Sequence, residues 1–211
     1  MTIDTDTPDT PALDTGAWHL ALEEVMELQL ALVGPGITGH RSAPTPCPAF
    51  TVEQLLDHVL WAQWFLIGAT GSGAPADDAP AGDTELGRRF ATIGSAAVEG
   101  WAARGTEGSV RLGPHELPAP VGLGSQVLET YLHSWDLARA TGRPFEPTPG
   151  VTATTTAIAR SILTDDLRGP GPEHPFGPEL APGPDAAPVD ALVALAGRDP
   201  RWSPRAGIPA G

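Results

Sequence analysis

Residues 128–143, LETYLHSWDLARATGR, constrain the chain more than any other stretch. They read as a helix that Gly142 closes, with Pro144 just beyond. Glu129 and His133 then lie one turn apart on one face, and at ~100° per residue Glu129, His133 and Asp136 span only about 60°. Glutamate is seldom buried unless it is paired or bound to a metal. A Glu and a His so placed can ligate a single ion, and a catalytic zinc needs three protein ligands and an open position. The stretch therefore requires one more donor from elsewhere in the chain.

His58, in LLDHVLWAQWF, is the candidate. The surrounding helix, 51–69, opens at Thr51, whose side chain can cap it, with Gln54 three residues on. On a wheel with His58 at zero, Leu55, Ala62 and Phe65 fall within about 60°, which puts His58 in the middle of a buried face. A single His on an apolar face reads more often as a hydrogen-bonded core residue. The joint case is stronger, because a Glu and a His share one face of a second helix expected to cross the first. A set of His58, Glu129 and His133 suits zinc or another late divalent metal, and ligand type alone does not choose among them. Asp136 can accept the second ring proton of a metal-bound His133. It can equally pair with Arg139 or Arg143. Trp135 lies off that face and reads as core packing.

The remaining pattern is all-α. A broad apolar stripe of Trp18, Leu22, Val25, Met26, Leu28, Leu32 and Val33 predicts a helix from Asp14, stopped by Gly34 and Pro35. Residues 34–50 hold too much Pro and Gly for regular structure. After the connection GSGAPADDAPAGD, a helix over 84–103 turns Leu86, Phe90, Ile93, Ala97 and Trp101 inward, with Arg88 and Arg89 toward solvent or the rim. Residues 108–118 alternate weakly around Gly113 and Pro114, as in a small hairpin. Helices follow over 123–141, 152–163 and 188–196, with a Gly/Pro-rich segment before the last. Residues 1–13 read as a disordered tail, 14–202 as one domain and 203–211 as a C-terminal tail.

Charge and cysteine usage exclude several functions. With 26 acidic against 12 basic residues, the net charge of −14 argues against nucleic acid or an anionic membrane as partner. The longest apolar run, residues 59–69, contains Gln63 and is too short to span a bilayer, and the acidic N-terminus has no signal-peptide pattern. A cytoplasmic protein, monomeric or homodimeric, is the expectation. Cys47 is the one cysteine, so neither an intrachain disulfide nor a multi-cysteine zinc finger can form. Lying just before a helix N-terminus, its thiolate could be favoured, but in TPCPAF it reads as structural. His19, His40, His115 and His174 occur singly and read as surface or packing residues. There is no G-x-S-x-G, no Walker loop and no G-x-G-x-x-G, since GLGSQ breaks the last pattern. A di-iron site would need paired Glu-x-x-His motifs, and the chain has one Glu-x-x-x-His.

TPCPAFTVEQLLDHVL followed by LETYLHSWDLARATGR resembles the DinB-like metal-binding helical bundles of actinobacteria, in particular the N-terminal domain of mycothiol-dependent maleylpyruvate isomerase. GRDPRW, at 197–202, resembles the closing segment of one branch of that family. The absence of Lys and Asn, whose codons are AT-rich, fits such a GC-rich source. The resemblance implies a four-helix bundle with a long crossover and a zinc site at His58, Glu129 and His133. Phe50 stands where the family often has Trp, and the isomerase's second, C-terminal domain has no counterpart here.

An ion with an open position lowers the pKa of a bound thiol. The resemblance makes that thiol mycothiol, attacking an electrophilic small molecule for transfer, conjugation or isomerisation. The first expectation is therefore a metal-dependent thiol transferase or isomerase. Hydrolysis by a metal-activated water and a non-catalytic metal-binding module are the alternatives.

Overall fold

The computed structural model of the chain describes residues 14–71, 82–171 and 174–204. The expected N-terminal tail, most of the connection over 71–83 and all but the first two residues of the C-terminal tail lie outside these residues.

Helix α1 (Thr15–Leu32) starts where the Asp14 carboxylate accepts the Ala17 N–H at 3.0 Å, and it buries Trp18, Leu22, Val25, Met26 and Leu32. Helix α2 (Val52–Ile67) opens on a complete capping box. Thr51 Oγ1 accepts the Gln54 N–H, and Gln54 Oε1 accepts the Thr51 N–H. Helix α3 (Asp83–Arg104) buries the five residues predicted to face inward. Strands β1 (Ser109–Leu112) and β2 (His115–Pro118) pair antiparallel across Gly113, whose φ of 57° suits a residue without a Cβ, and Val110 and Leu112 enter the core. Helices α4 (Ala119–Thr141), α5 (Pro149–Ile162) and α6 (Pro188–Leu195) complete the order.

Among the described residues the protein is thus mostly helical, with one small two-stranded sheet. Helix α1 packs on α4 and α3, and α2 packs on the same two. Helix α5 covers α1 and α4, and α6 rests on α5. Helix α4 is the centre of this arrangement, buried on almost every side from Gln126 to Ala138. Its glycines permit close approach: a Cβ on Gly122 would lie 2.9 Å from Trp101 and from Val110, and one on Gly124 would lie 2.8 Å from Trp18. The GLG that interrupts a nucleotide-binding pattern is a packing surface.

Three local expectations need correction. Helix α4 begins at Ala119, four residues before the predicted 123, because Pro120 is tolerated in a first turn. The loop 34–50 contains a 3-10 turn, Ile37–His40, with Ile37 fully buried. It is held by the Asp83 carboxylate, which accepts N–H bonds from Gly36 at 2.7 Å and Thr38 at 3.0 Å, a contact between segments far apart in sequence. On α2 the buried face is centred near Val59, about 100° from His58 on the wheel. His58 is therefore at the edge of that face, and Phe65, expected inside, is 41% exposed.

Candidate metal centre

The edge position of His58 brings it to the face of α4 that carries Glu129. His58 Nε2 lies 3.1 Å and His133 Nε2 3.2 Å from the same oxygen, Glu129 Oε1. The two imidazoles sit edge to face with centroids 5.0 Å apart. One donor atom from each of the three residues falls within 4.8 Å of the other two, a set that could hold one metal ion. His133 is buried, whereas the side chains of His58 and Glu129 retain 28% and 22% of their exposure, so the cluster is partly open to solvent.

Charge organises these groups. Burial pushes the Glu129 carboxyl up, but His133 and then His58 outweigh it and hold it well below the usual carboxylate range. Burial pushes His133 down, but the Glu129 charge and the hydrogen bonds with Asp136 and Glu129 raise it to about 9. Without a metal, then, His133 carries a proton between two carboxylates. A metal ion would compete for the Nε2 position of that proton while Nδ1–H remains on Asp136.

Asp136 is fully buried, and its Oδ2 accepts from His133 Nδ1 at 2.9 Å. Its ion-pair partner is neither Arg139 nor Arg143. Arg198 reaches the same oxygen at 3.2 Å from the segment after α6. Arg139 instead donates to the carbonyls of Pro200 and Trp202 and lies over the Trp135 ring, while Arg143 donates to the carbonyls of Leu32 and Pro35. Burial raises the Asp136 carboxyl, yet Arg198 and His133 prevail and hold it below its ordinary value. Arg198 was the residue invisible to pattern reading. Its only sequence signal is its place in GRDPRW, and that resemblance carries no role for it.

The loop before α2 supplies the cluster's outer wall. Thr45, buried, donates to the carbonyls of Cys47 and Phe50 at 2.8 and 2.9 Å, and so folds that loop back. Phe50 stacks on His58 at 4.7 Å and 22° and meets His133 edge-on at 6.4 Å. It fills the place that the family resemblance gave to Trp. Burial, with the Asp136 charge second, pushes the Cys47 thiol up, the reverse of helix-terminus activation. His19 bonds the carbonyls of Thr15 and Trp101 and lies away from the cluster. Among the described residues no helix is long and apolar enough to cross a membrane.

Comparison with known proteins gives two consistent findings. Residues 30–138 match the family described as the mycothiol maleylpyruvate isomerase N-terminal domain. That interval contains His58, Glu129, His133 and Asp136 and stops well short of Arg198. Two curated relatives from Mycobacterium tuberculosis, "Uncharacterized protein Rv0738" of strain H37Rv and "Uncharacterized protein MT0763" of strain CDC 1551, are each 31% identical over 159 residues. The alignment spans 75% of this chain and 85% of either relative. No solved structure matches.

Proposed function

Because the chain belongs to the mycothiol maleylpyruvate isomerase N-terminal domain family, we propose that His58, Glu129 and His133 hold one divalent metal ion, zinc by preference, in a thiol transferase or isomerase that uses mycothiol. The observation that carries this reading is the convergence of two imidazole nitrogens on one carboxylate oxygen, with the far nitrogen of His133 already engaged by Asp136. A mixed nitrogen and oxygen set of three suits zinc and leaves room for a further ligand. When bound, the ion supplies positive charge and an open position at which a thiol is held as thiolate at neutral pH.

The protein's own residues do the rest. Glu129 neutralises part of the ion's charge. Asp136 holds the Nδ1 proton of His133, which keeps Nε2 directed at the cluster. Phe50 shields one side of His58 from water. No internal nucleophile competes: Cys47 is kept neutral by burial, so the attacking sulfur comes from outside.

The wider reading follows the same family. Helices α1 to α4, each packed against two of the others, support a DinB-like four-helix bundle with a long crossover, within one domain spanning 14–202. We place the protein in the cytoplasm, as a monomer or homodimer, acting on an electrophilic small molecule and on neither nucleic acid nor membrane.

Turnover of an electrophilic test substrate is the experiment. Activity should require both the metal and a low-molecular-weight thiol, mycothiol above glutathione, and should survive Cys47→Ser. Metal-dependent turnover without added thiol would make the protein a hydrolase instead. No turnover across a broad panel of electrophiles would make it a metal-binding module.

A further inference from the structure

Outside the three donor residues, one buried charged group remains unexplained by stability. Arg198 is 8% exposed and its guanidinium makes two hydrogen bonds, one to the Ala196 carbonyl at 3.1 Å and one to Asp136 Oδ2 at 3.2 Å. Its Nε and the other oxygen of Asp136, Oδ1, are both buried without a hydrogen-bond partner. A buried ion pair recovers its desolvation cost only with excellent geometry and full hydrogen bonding, and apolar residues of similar volume often serve a core as well or better. This pair is incompletely bonded. As an element of stability it is a poor choice.

What the pair does supply is direction. Asp136 Oδ2 is shared between Arg198 and His133 Nδ1, so the guanidinium holds the carboxylate in the position from which it orients the His133 ring. The neighbouring segment is tied down separately: the Trp202 carbonyl accepts from Arg139 Nη2 at 2.6 Å, and the Trp202 side chain packs against the cluster containing Leu55, Val59 and Leu137. Residues 196–202 thus form a clasp across α4, closing on Asp136, the carboxylate outside the donor set that touches His133. The clasp lies beyond residues 30–138, the interval that matches the family.

We propose that Arg198 is a positioning residue for the metal centre, acting through Asp136 to orient His133. The proposal rests on the reading of His58, Glu129 and His133 as metal ligands. It requires that Arg198 influence metal affinity, although it contributes no ligand atom, and that this influence vanish when Asp136 can no longer transmit it.

A double-mutant cycle on the full chain tests this, with Zn2+ affinity read by competition against a chromophoric chelator and helicity checked by circular dichroism. Arg198→Leu should weaken Zn2+ binding about tenfold, within the roughly 10- to 100-fold range for partners of metal-bound histidines. Asp136→Asn should weaken it at least as much. The double variant should bind no more than about twofold more weakly than Asp136→Asn alone, because coupled residues are not additive. If Arg198→Leu does not fold, Arg198→Gln, neutral and still able to donate to the Ala196 carbonyl, enters the same cycle. Unchanged affinity in a helical Arg198 variant, or losses that multiply in the double variant, would overturn the proposal and leave the metal site standing. A wild-type protein that binds no Zn2+ would overturn the site itself.

Discussion

His133 has both ring nitrogens against carboxylates, Asp136 at Nδ1 and Glu129 at Nε2, and this decides how the metal-free protein responds to pH. Its pKa rises from an ordinary 6.5 to about 9 in the folded state. A group raised on folding adds stability that is fully present below its unfolded pKa and is lost as pH climbs through the folded one. In the presence of a chelator, the unfolding free energy from urea denaturation should therefore decline between about pH 6.5 and 9. His133→Gln should flatten that decline. Over the same window, metal affinity should rise with pH, because the ion no longer has to displace a proton. At this scale the sequence was informative about one helix and silent about the rest. Glu129 and His133 were legible together because four residues make one helical turn. Arg198 was not, because 62 residues separate it from Asp136 and only tertiary packing joins them.

Helix α4 is buried on nearly all sides and yet polar at several positions, so each polar group must find a partner inside. Gln126 shows how closely this is done. Its Oε1 accepts the Trp101 indole N–H at 2.6 Å, its Nε2 donates to Gln63 Oε1 at 2.8 Å, and Gln63 Nε2 donates to Thr130 Oγ1 at 2.7 Å. The chain of bonds ties α3, α4 and α2 together. Gln126→Ala strands the indole and the Gln63 oxygen and should cost about 2–4 kcal/mol in urea denaturation, from unsatisfied groups and the cavity left behind. Gly124→Ala tests the packing on the α1 and α5 side, where the new methyl would meet Trp18 at 2.8 Å, Ile162 at 3.0 Å and Ile158 at 3.1 Å. Overpacking of about 1–3 kcal/mol against a gain of about 1 kcal/mol in helix propensity should leave the variant less stable by up to roughly 2 kcal/mol.

Elements were well marked where the signal is local. Thr51 and Gln54 announced the start of α2, and the spacing of Leu86, Phe90, Ile93, Ala97 and Trp101 gave the inner face of α3. The observed orientation of α2 differs from the expected one because a wheel centred on His58 counts Phe65 as apolar and therefore buried, whereas it is 41% exposed. The structure instead stacks Phe65 on Trp61, which is 63% exposed, along the solvent edge of the helix. Which apolar residue stays outside is decided by the neighbouring helices, and a wheel contains no information about them.

For the whole molecule, the proposed ligands His58 and Glu129 bring α2 to α4 across 71 residues of chain, so an ion bound there would be a cross-link that exists only in the folded state. Binding to the native state alone stabilises by about 2.7 kcal/mol when free metal is 100 times Kd. Chelation should accordingly lower the thermal midpoint without abolishing the helical signal, because the two hydrophobic clusters contain none of His58, Glu129 and His133. Retention of the holo midpoint after verified metal removal would mean that the ion does not bridge these helices. The most direct test is one stoichiometry, the metal content of the purified chain by elemental analysis, beside His58→Ala and His133→Ala. One divalent ion per wild-type chain and loss of most of it in both variants, with helicity kept, is the result expected from the reading of these residues as metal ligands. Full occupancy in both variants, or a wild-type chain that binds none when supplied with Zn2+, would contradict it.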